Sequence, residues 1–152
     1  FRQALYIVMM NMTRMLAADG EGASKLLECS VTGAPDQETA IIIANSVIRS
    51  PLLKCAMFGE DANWGRVLCA IGYAEAEFDI AKVDVDFESE FGKIAVCRDG
   101  SGVEFSEEIA AKILSAEEIH ILVELKQGKA QAKAWGSDLT YDYVKNNGDY
   151  RT

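Results

Sequence analysis

Glu21 stands between two glycines in the run Asp19-Gly20-Glu21-Gly22-Ala23. Glycine permits sharp turns and close backbone approach, so this carboxylate can project from a rigid corner and hold an α-amino or side-chain ammonium by a charge-assisted hydrogen bond. More polar groups close the sequence, in Tyr143-Val144-Lys145-Asn146-Asn147-Gly148-Asp149-Tyr150-Arg151-Thr152. An Asn carboxamide supplies donors and an acceptor, and a Thr hydroxyl supplies one donor and two lone pairs, so such groups can grip an amino-acid carboxylate without titrating. Residue type alone gives plainer readings: an acidic loop residue is solvated, Asn146-Asn147-Gly148 is a helix C-cap and turn, and a terminal Tyr-Arg-Thr frays. A third segment, Phe58-Gly59-Glu60-Asp61-Ala62-Asn63-Trp64-Gly65-Arg66, reads structurally. There Asp61 or Asn63 is a helix cap and Trp64 a core anchor.

Cys29, Cys55, Cys69 and Cys97 lie far apart, with no Cys-x-x-Cys pair and a single histidine, so no zinc ligand set is expected. The cysteines read as small buried hydrophobes in a reducing cytosol, which makes a cytoplasmic location the expectation. His120, in Ile119-His120-Ile121, reads as a structural strand residue rather than a general base. With 24 acidic against 15 basic residues, the net charge is −9. No Lys/Arg cluster could neutralise phosphates, so nucleic acid is not an expected partner. The longest apolar run, in Leu5–Met10, falls far short of the roughly 20 residues of a membrane span. A chain of 152 residues that is 49% hydrophobic, with two prolines, should pack a core as one domain, residues 1–152.

The elements that must position these groups follow from periodicity. Leu5, Val8, Met9, Met12 and Leu16 recur at helical spacing and predict a first helix ending before Asp19. Alternation over Lys25–Thr32 predicts a strand, Pro35-Asp36 opens a helix that Ser50-Pro51 stops, and the short apolar Leu52–Phe58 reads as a buried strand. A helix follows from Trp64 to Ala74. Strands are predicted over Lys82–Phe87 and Lys93–Arg98, and Ser106 caps a short helix to Leu114. Ile119–Leu125 and Ala130–Trp135 read as an antiparallel pair, and Ser137 or Asp138 as the cap of a last helix. The sum is α+β, helices packed on a mostly antiparallel sheet.

The Asp-Gly-Glu-Gly-Ala run, the Phe58–Arg66 segment and the C-terminal run, in this order, resemble the β chain of glutamate N-acetyltransferase, also called ornithine acetyltransferase. The resemblance extends from about Leu16 to Thr152. It implies a precursor that cuts itself before a threonine, which then carries the acetyl group. By that layout the nucleophile lies upstream of Phe1 and the oxyanion-hole donors in the α chain, so the chain is expected to be the C-terminal part of the β chain, the distal lobe of a larger self-cleaving acyltransferase fold. No catalytic residue is then expected within it. The resemblance gives Glu21, Asn147 and Thr152 contact with the substrate. It also implies an αβ hetero-oligomer. Where the family usually has proline, Ala62 stands, which puts the rigidity of that loop in question.

The expected function is acetyl transfer from N-acetylornithine to glutamate through an acetyl-threonine, with no bound cofactor and with acetyl-CoA as a second donor in some members. Two other readings compete with it. The wider superfamily contains self-processing aminopeptidases and amidases, and the segment could be a non-catalytic amino-acid-binding domain.

Overall fold

In the computed structural model, which describes residues 1–150, the chain begins with helix α1 (Arg2–Ala18), followed by strand β1 (Leu26–Ala34). Three helices come next, α2 (Gln37–Arg49), α3 (Pro51–Phe58) and α4 (Trp64–Gly72). After a short 3-10 turn come β2 (Asp84–Ser89), β3 (Gly92–Arg98), β4 (Ser101–Gly102), α5 (Glu107–Leu114), β5 (Glu118–Glu124), β6 (Ala130–Ser137) and α6 (Tyr141–Asp149). The strands form one sheet in the order β4-β3-β2-β5-β1-β6. Only β1 and β5 run parallel; the other neighbouring pairs are antiparallel, as the α+β reading requires.

Strand alternation sorts the two faces. Leu27, Cys29 and Val31 of β1, Val85 and Phe87 of β2, and Ile119, Ile121 and Val123 of β5 are buried on one face, in cross-strand register. α2 packs there against β1 and β6, and α5 against β2 and β3. Intervening residues such as Glu28, Ser30, His120, Lys133 and Trp135 point to the other face, where α1 crosses β1 and β6. Asp36 caps α2 by accepting from the Thr39 N–H, and Ser106 caps α5 by accepting from the Ile109 N–H, both as the sequence indicates.

Four expectations are corrected. Leu52–Phe58 is not a strand but most of α3. Ser50 closes α2 and at the same time caps α3, with Pro51 at the first helical position, so Ser-Pro is a start as well as a stop. The buried set Leu53, Ala56 and Met57 has helical spacing, and Cys55 therefore faces outward. By the same logic Cys69 is exposed on α4, where Val67, Ala70 and Ile71 turn inward, while Cys29 and Cys97 are buried as expected.

β5 and β6 are not paired either: β1 lies between them. Their connection crosses the end of β1, where the Leu125 N–H donates to Thr32 O (2.9 Å) and the Gln127 N–H to Gly33 O (2.7 Å). A five-residue loop reaches over one strand as readily as it closes a hairpin. Finally, α6 is capped by Thr140, whose Oγ1 accepts from the Tyr143 N–H, rather than by Ser137 or Asp138.

α1 ends where the pattern predicts but buries none of its residues. Leu5, Val8, Met9, Met12 and Leu16 are 45–75% exposed. Among the described residues no single helix is long and apolar enough to cross a membrane, and the bent pair α2–α3 that passes by composition is packed into the core.

Candidate functional site

Glu21 is exposed in a turn between α1 and β1, and the flanking residues explain its placement. Gly22 has φ +69, and a Cβ on it would come within 2.7 Å of the Tyr143 N and 2.9 Å of the Asp142 carbonyl carbon. Only glycine lets the turn lie this close against the first turn of α6. The same contact is fastened by hydrogen bonds. Thr140, 6% exposed, donates from its hydroxyl to the Gly22 carbonyl, and Asp138, 3% exposed, accepts from the Ser24 N–H (2.9 Å), the Ser24 hydroxyl and the Lys25 N–H (3.1 Å). Lys25, itself buried, sends its ammonium to Met57 O (3.0 Å) and Leu114 O (2.7 Å), the last turns of α3 and α5. Cations are favoured at helix C-termini for this reason.

Asn147, distant in sequence, thus lies on the helix against whose first turn the Glu21 turn is seated. It is exposed on α6, and at 1.5 Å rise per residue it lies roughly 7 Å along the helix from the peptide that Gly22 touches. Its carboxamide donates to Tyr143 O at 2.9 Å. Thr152 lies outside the described residues. α6 itself buries nothing; its cap and the edge-to-face contact of Tyr141 with Phe58, centroids 5.4 Å apart, hold its start. A shallow depression lined by Met15, Leu16, Ala18 and Asp19 opens two residues from Glu21.

The Phe58–Arg66 segment is structural. Asn63 caps α4 by accepting from the Arg66 N–H at 3.1 Å, and Asp61 in turn accepts from the Asn63 amide at 2.9 Å. Trp64 packs against the core, so close to β4 that a Cβ on Gly102 would lie 2.4 Å from its ring. Ala62 is buried.

His120 belongs to a charged network on the α1 face of the sheet, centred on Glu28. That carboxylate, 3% exposed, meets Arg14 (3.1 Å), Lys133 (2.6 Å), the Trp135 indole N–H (2.7 Å), Ser30 (3.1 Å) and His120 Nδ1 (3.3 Å). Burial by itself pushes the Glu28 carboxyl up. The hydrogen bonds from Lys133, Trp135 and Ser30 and the Lys133 charge outweigh it and hold the group at about 2. Glu28, Glu118 and His120 do bring three ligand atoms within 4.8 Å of one another. Arg14 already bridges both carboxylates, at 3.1 and 2.7 Å, so protein cations fill the place a metal would take.

Sequence reasoning missed Asp138, Thr140 and the Glu28 network. Thr140 left a signal: a threonine followed two positions later by Asp142 is a cap with an acid in the first turn. Asp138 and Glu28 left none, because their partners come from elements far away along the chain.

The sequence and fold have known counterparts. The ArgJ family profile matches residues 1–152. The chain is 51% identical to the arginine biosynthesis bifunctional protein ArgJ 1 of Clostridium acetobutylicum and 47% identical to arginine biosynthesis bifunctional protein ArgJ of Caldanaerobacter subterraneus, in both cases over all of its own 152 residues. It spans 37% and 38% of those two proteins, little more than a third of their length. The crystal structure of arginine biosynthesis bifunctional protein ArgJ from Bacillus halodurans matches 97% of this chain and 68% of its own, with a TM-score of 0.91 and 40% identity. Matched along its whole length in sequence and over 97% of it in fold, the chain belongs to the ArgJ family.

Proposed function

We propose that this chain is the amino-acid-gripping part of an acetyltransferase that moves an acetyl group from N-acetylornithine to glutamate. The observation that carries the reading is the seating of the Glu21 turn on α6, the helix that bears Asn147. The relatives' name, arginine biosynthesis bifunctional protein, supports it. Glu21 binds the side-chain ammonium of N-acetylornithine by a charge-assisted hydrogen bond, and Asn147 with Thr152 holds the carboxylate end. Such positioning makes the chemical step effectively unimolecular.

The acetyl group itself is carried by a threonine outside these residues. Its hydroxyl attacks the acetyl carbonyl, ornithine leaves as the amine, and the amine of glutamate then takes the acetyl group from the threonine ester. Acetyl-CoA serves as an alternative donor to the same threonine. The exposed apolar residues of α1 fit burial against the rest of the enzyme, including an α chain that supplies the oxyanion donors, in an αβ assembly.

The test is a two-substrate assay of the complete enzyme. Varying N-acetylornithine at several glutamate concentrations should give parallel double-reciprocal lines, with the acetyl group recovered on glutamate. Release of acetate at a rate independent of glutamate would replace the transferase with an amidase.

A further inference from the structure

Asp138 is a buried carboxylate with no place in the substrate scheme, yet all of its described hydrogen-bond partners lie next to the Glu21 turn. Oδ1 accepts two backbone N–H groups, from Ser24 at 2.9 Å and Lys25 at 3.1 Å, and Oδ2 accepts from the Ser24 hydroxyl. In return the Asp138 N–H donates to Lys25 O at 3.2 Å. Two residues further on, Thr140 donates to the Gly22 carbonyl and caps α6. The short run from Asp138 to Thr140 thus ties down both flanks of Glu21, Gly22 on one side and Ser24-Lys25 on the other, while starting the helix that carries Asn147.

We infer that Asp138 is a positioning residue that, with Thr140, locks the Glu21 turn to α6 so that the two ends of the amino-acid site hold one spacing. This rests on the substrate-gripping reading of Glu21. A carboxylate accepting several N–H and O–H donors fixes a turn more tightly than backbone pairing would, because charge-assisted hydrogen bonds are shorter and stronger than neutral ones. Without such support the backbone that carries the Glu21 side chain would shift relative to α6, and the loss of fixed geometry at a binding group is costly in rate. Lys25, anchored on Met57 and Leu114, connects the same turn to the body of the fold.

The experiment is a double-mutant cycle in the complete enzyme, with steady-state kinetics for N-acetylornithine and a thermal melt of each variant. Asp138→Ala should lower kcat/KM roughly tenfold or more, mainly through KM. Asp138→Asn should restore most of it, since the carboxamide oxygen can accept the two N–H groups and its NH2 can donate to the Ser24 hydroxyl. In a Glu21→Gln background Asp138→Ala should cost little further, because the group it positions is already impaired. A merely structural Asp138 would lower the melting temperature and the active fraction but leave KM unchanged, with losses that multiply those of Glu21→Gln. That pattern, or wild-type kinetics for Asp138→Ala, overturns the inference. Should Asp138→Ala not fold, Ser24→Ala, which removes one of the three bonds, is read in the same cycle, and an unchanged KM overturns the inference equally. Wild-type kinetics for Glu21→Gln alone would defeat the substrate-gripping reading and the positioning role with it; an impaired Glu21→Gln without coupling defeats only the positioning role.

Discussion

Glu21→Gln in the complete enzyme is expected to lower kcat/KM for N-acetylornithine by roughly tenfold to a hundredfold with almost no change in stability. A hydrogen bond to a charged group contributes about 1.5–3 kcal/mol, and each ~1.4 kcal/mol is a factor of ten in the rate ratio. Gln keeps the shape and the acceptor oxygen but loses the charge an ammonium seeks. Glu21 is exposed, in a turn held by its neighbours rather than by its own side chain. Substitutions at such sites usually stay within about 0.5 kcal/mol in stability. Steady-state kinetics beside a thermal melt separates the two effects. Unchanged kinetics would return Glu21 to the role of a solvated loop acid.

The opposite signature is expected for Glu28→Ala, which should damage folding. Removing one partner of a buried charge cluster typically costs about 3–5 kcal/mol. Arg14 and Lys133 keep side-chain exposures of 31% and 51% and can turn toward water, which puts the expectation near the lower end, about 3 kcal/mol. Protonation of the intact side chain is a separate quantity: a carboxyl held at about 2 instead of its ordinary 4.5 ties about 3 kcal/mol of stability to its ionisation. For a chain of this size the melting temperature should fall by roughly 6–12 °C.

The sign of the pH effect follows. The folded state binds the Glu28 proton more weakly than the unfolded state, so this stability is fully present above about 4.5 and is lost as pH falls toward 2. Urea midpoints measured across that window should decline in the wild type and decline less steeply in Glu28→Gln, the remaining slope belonging to Asp36 and Asp84, whose carboxyls are also held below their ordinary values. An identical slope in both would mean that other groups carry the acid sensitivity.

Much of this was legible in the sequence wherever a local rule decided it. Asp36 and Ser106 cap helices because their side chains satisfy N–H groups three residues away. β2 shows the alternation of a half-buried strand and α1 stops at Asp19-Gly20, whereas β3 buries the neighbours Val96 and Cys97 together. What was illegible depended on distant partners. Leu52–Phe58 has an apolar run that suits strand and helix alike; its helical state is settled by Ser50, Pro51 and the burial of Leu53, Ala56 and Met57. Nothing local says that β1 inserts between β5 and β6.

The site divides along the same line. The glycines beside Glu21 mark a turn, but on residue type alone its carboxylate is a solvated loop acid, and its substrate role is what the resemblance implies. Asn147 and Thr152 came only from the resemblance, since an asparagine on a C-terminal helix has no distinguishing local pattern. Asp138 stayed hidden because its partners Ser24 and Lys25 lie 114 and 113 residues away. Glu28, drawing donors from Arg14, His120 and Lys133, looked like an ordinary polar residue of an alternating strand.

The central claim is a division of labour in which these 152 residues hold the amino acid while another part of the enzyme carries the acetyl group. Its most direct test is to trap the complete enzyme with isotopically labelled N-acetylornithine in the absence of glutamate and to locate the label by peptide mass spectrometry. The account predicts one acetyl ester, on a threonine outside Phe1–Thr152. An acetyl group on a side chain within these residues, formed at the rate of turnover, would contradict it.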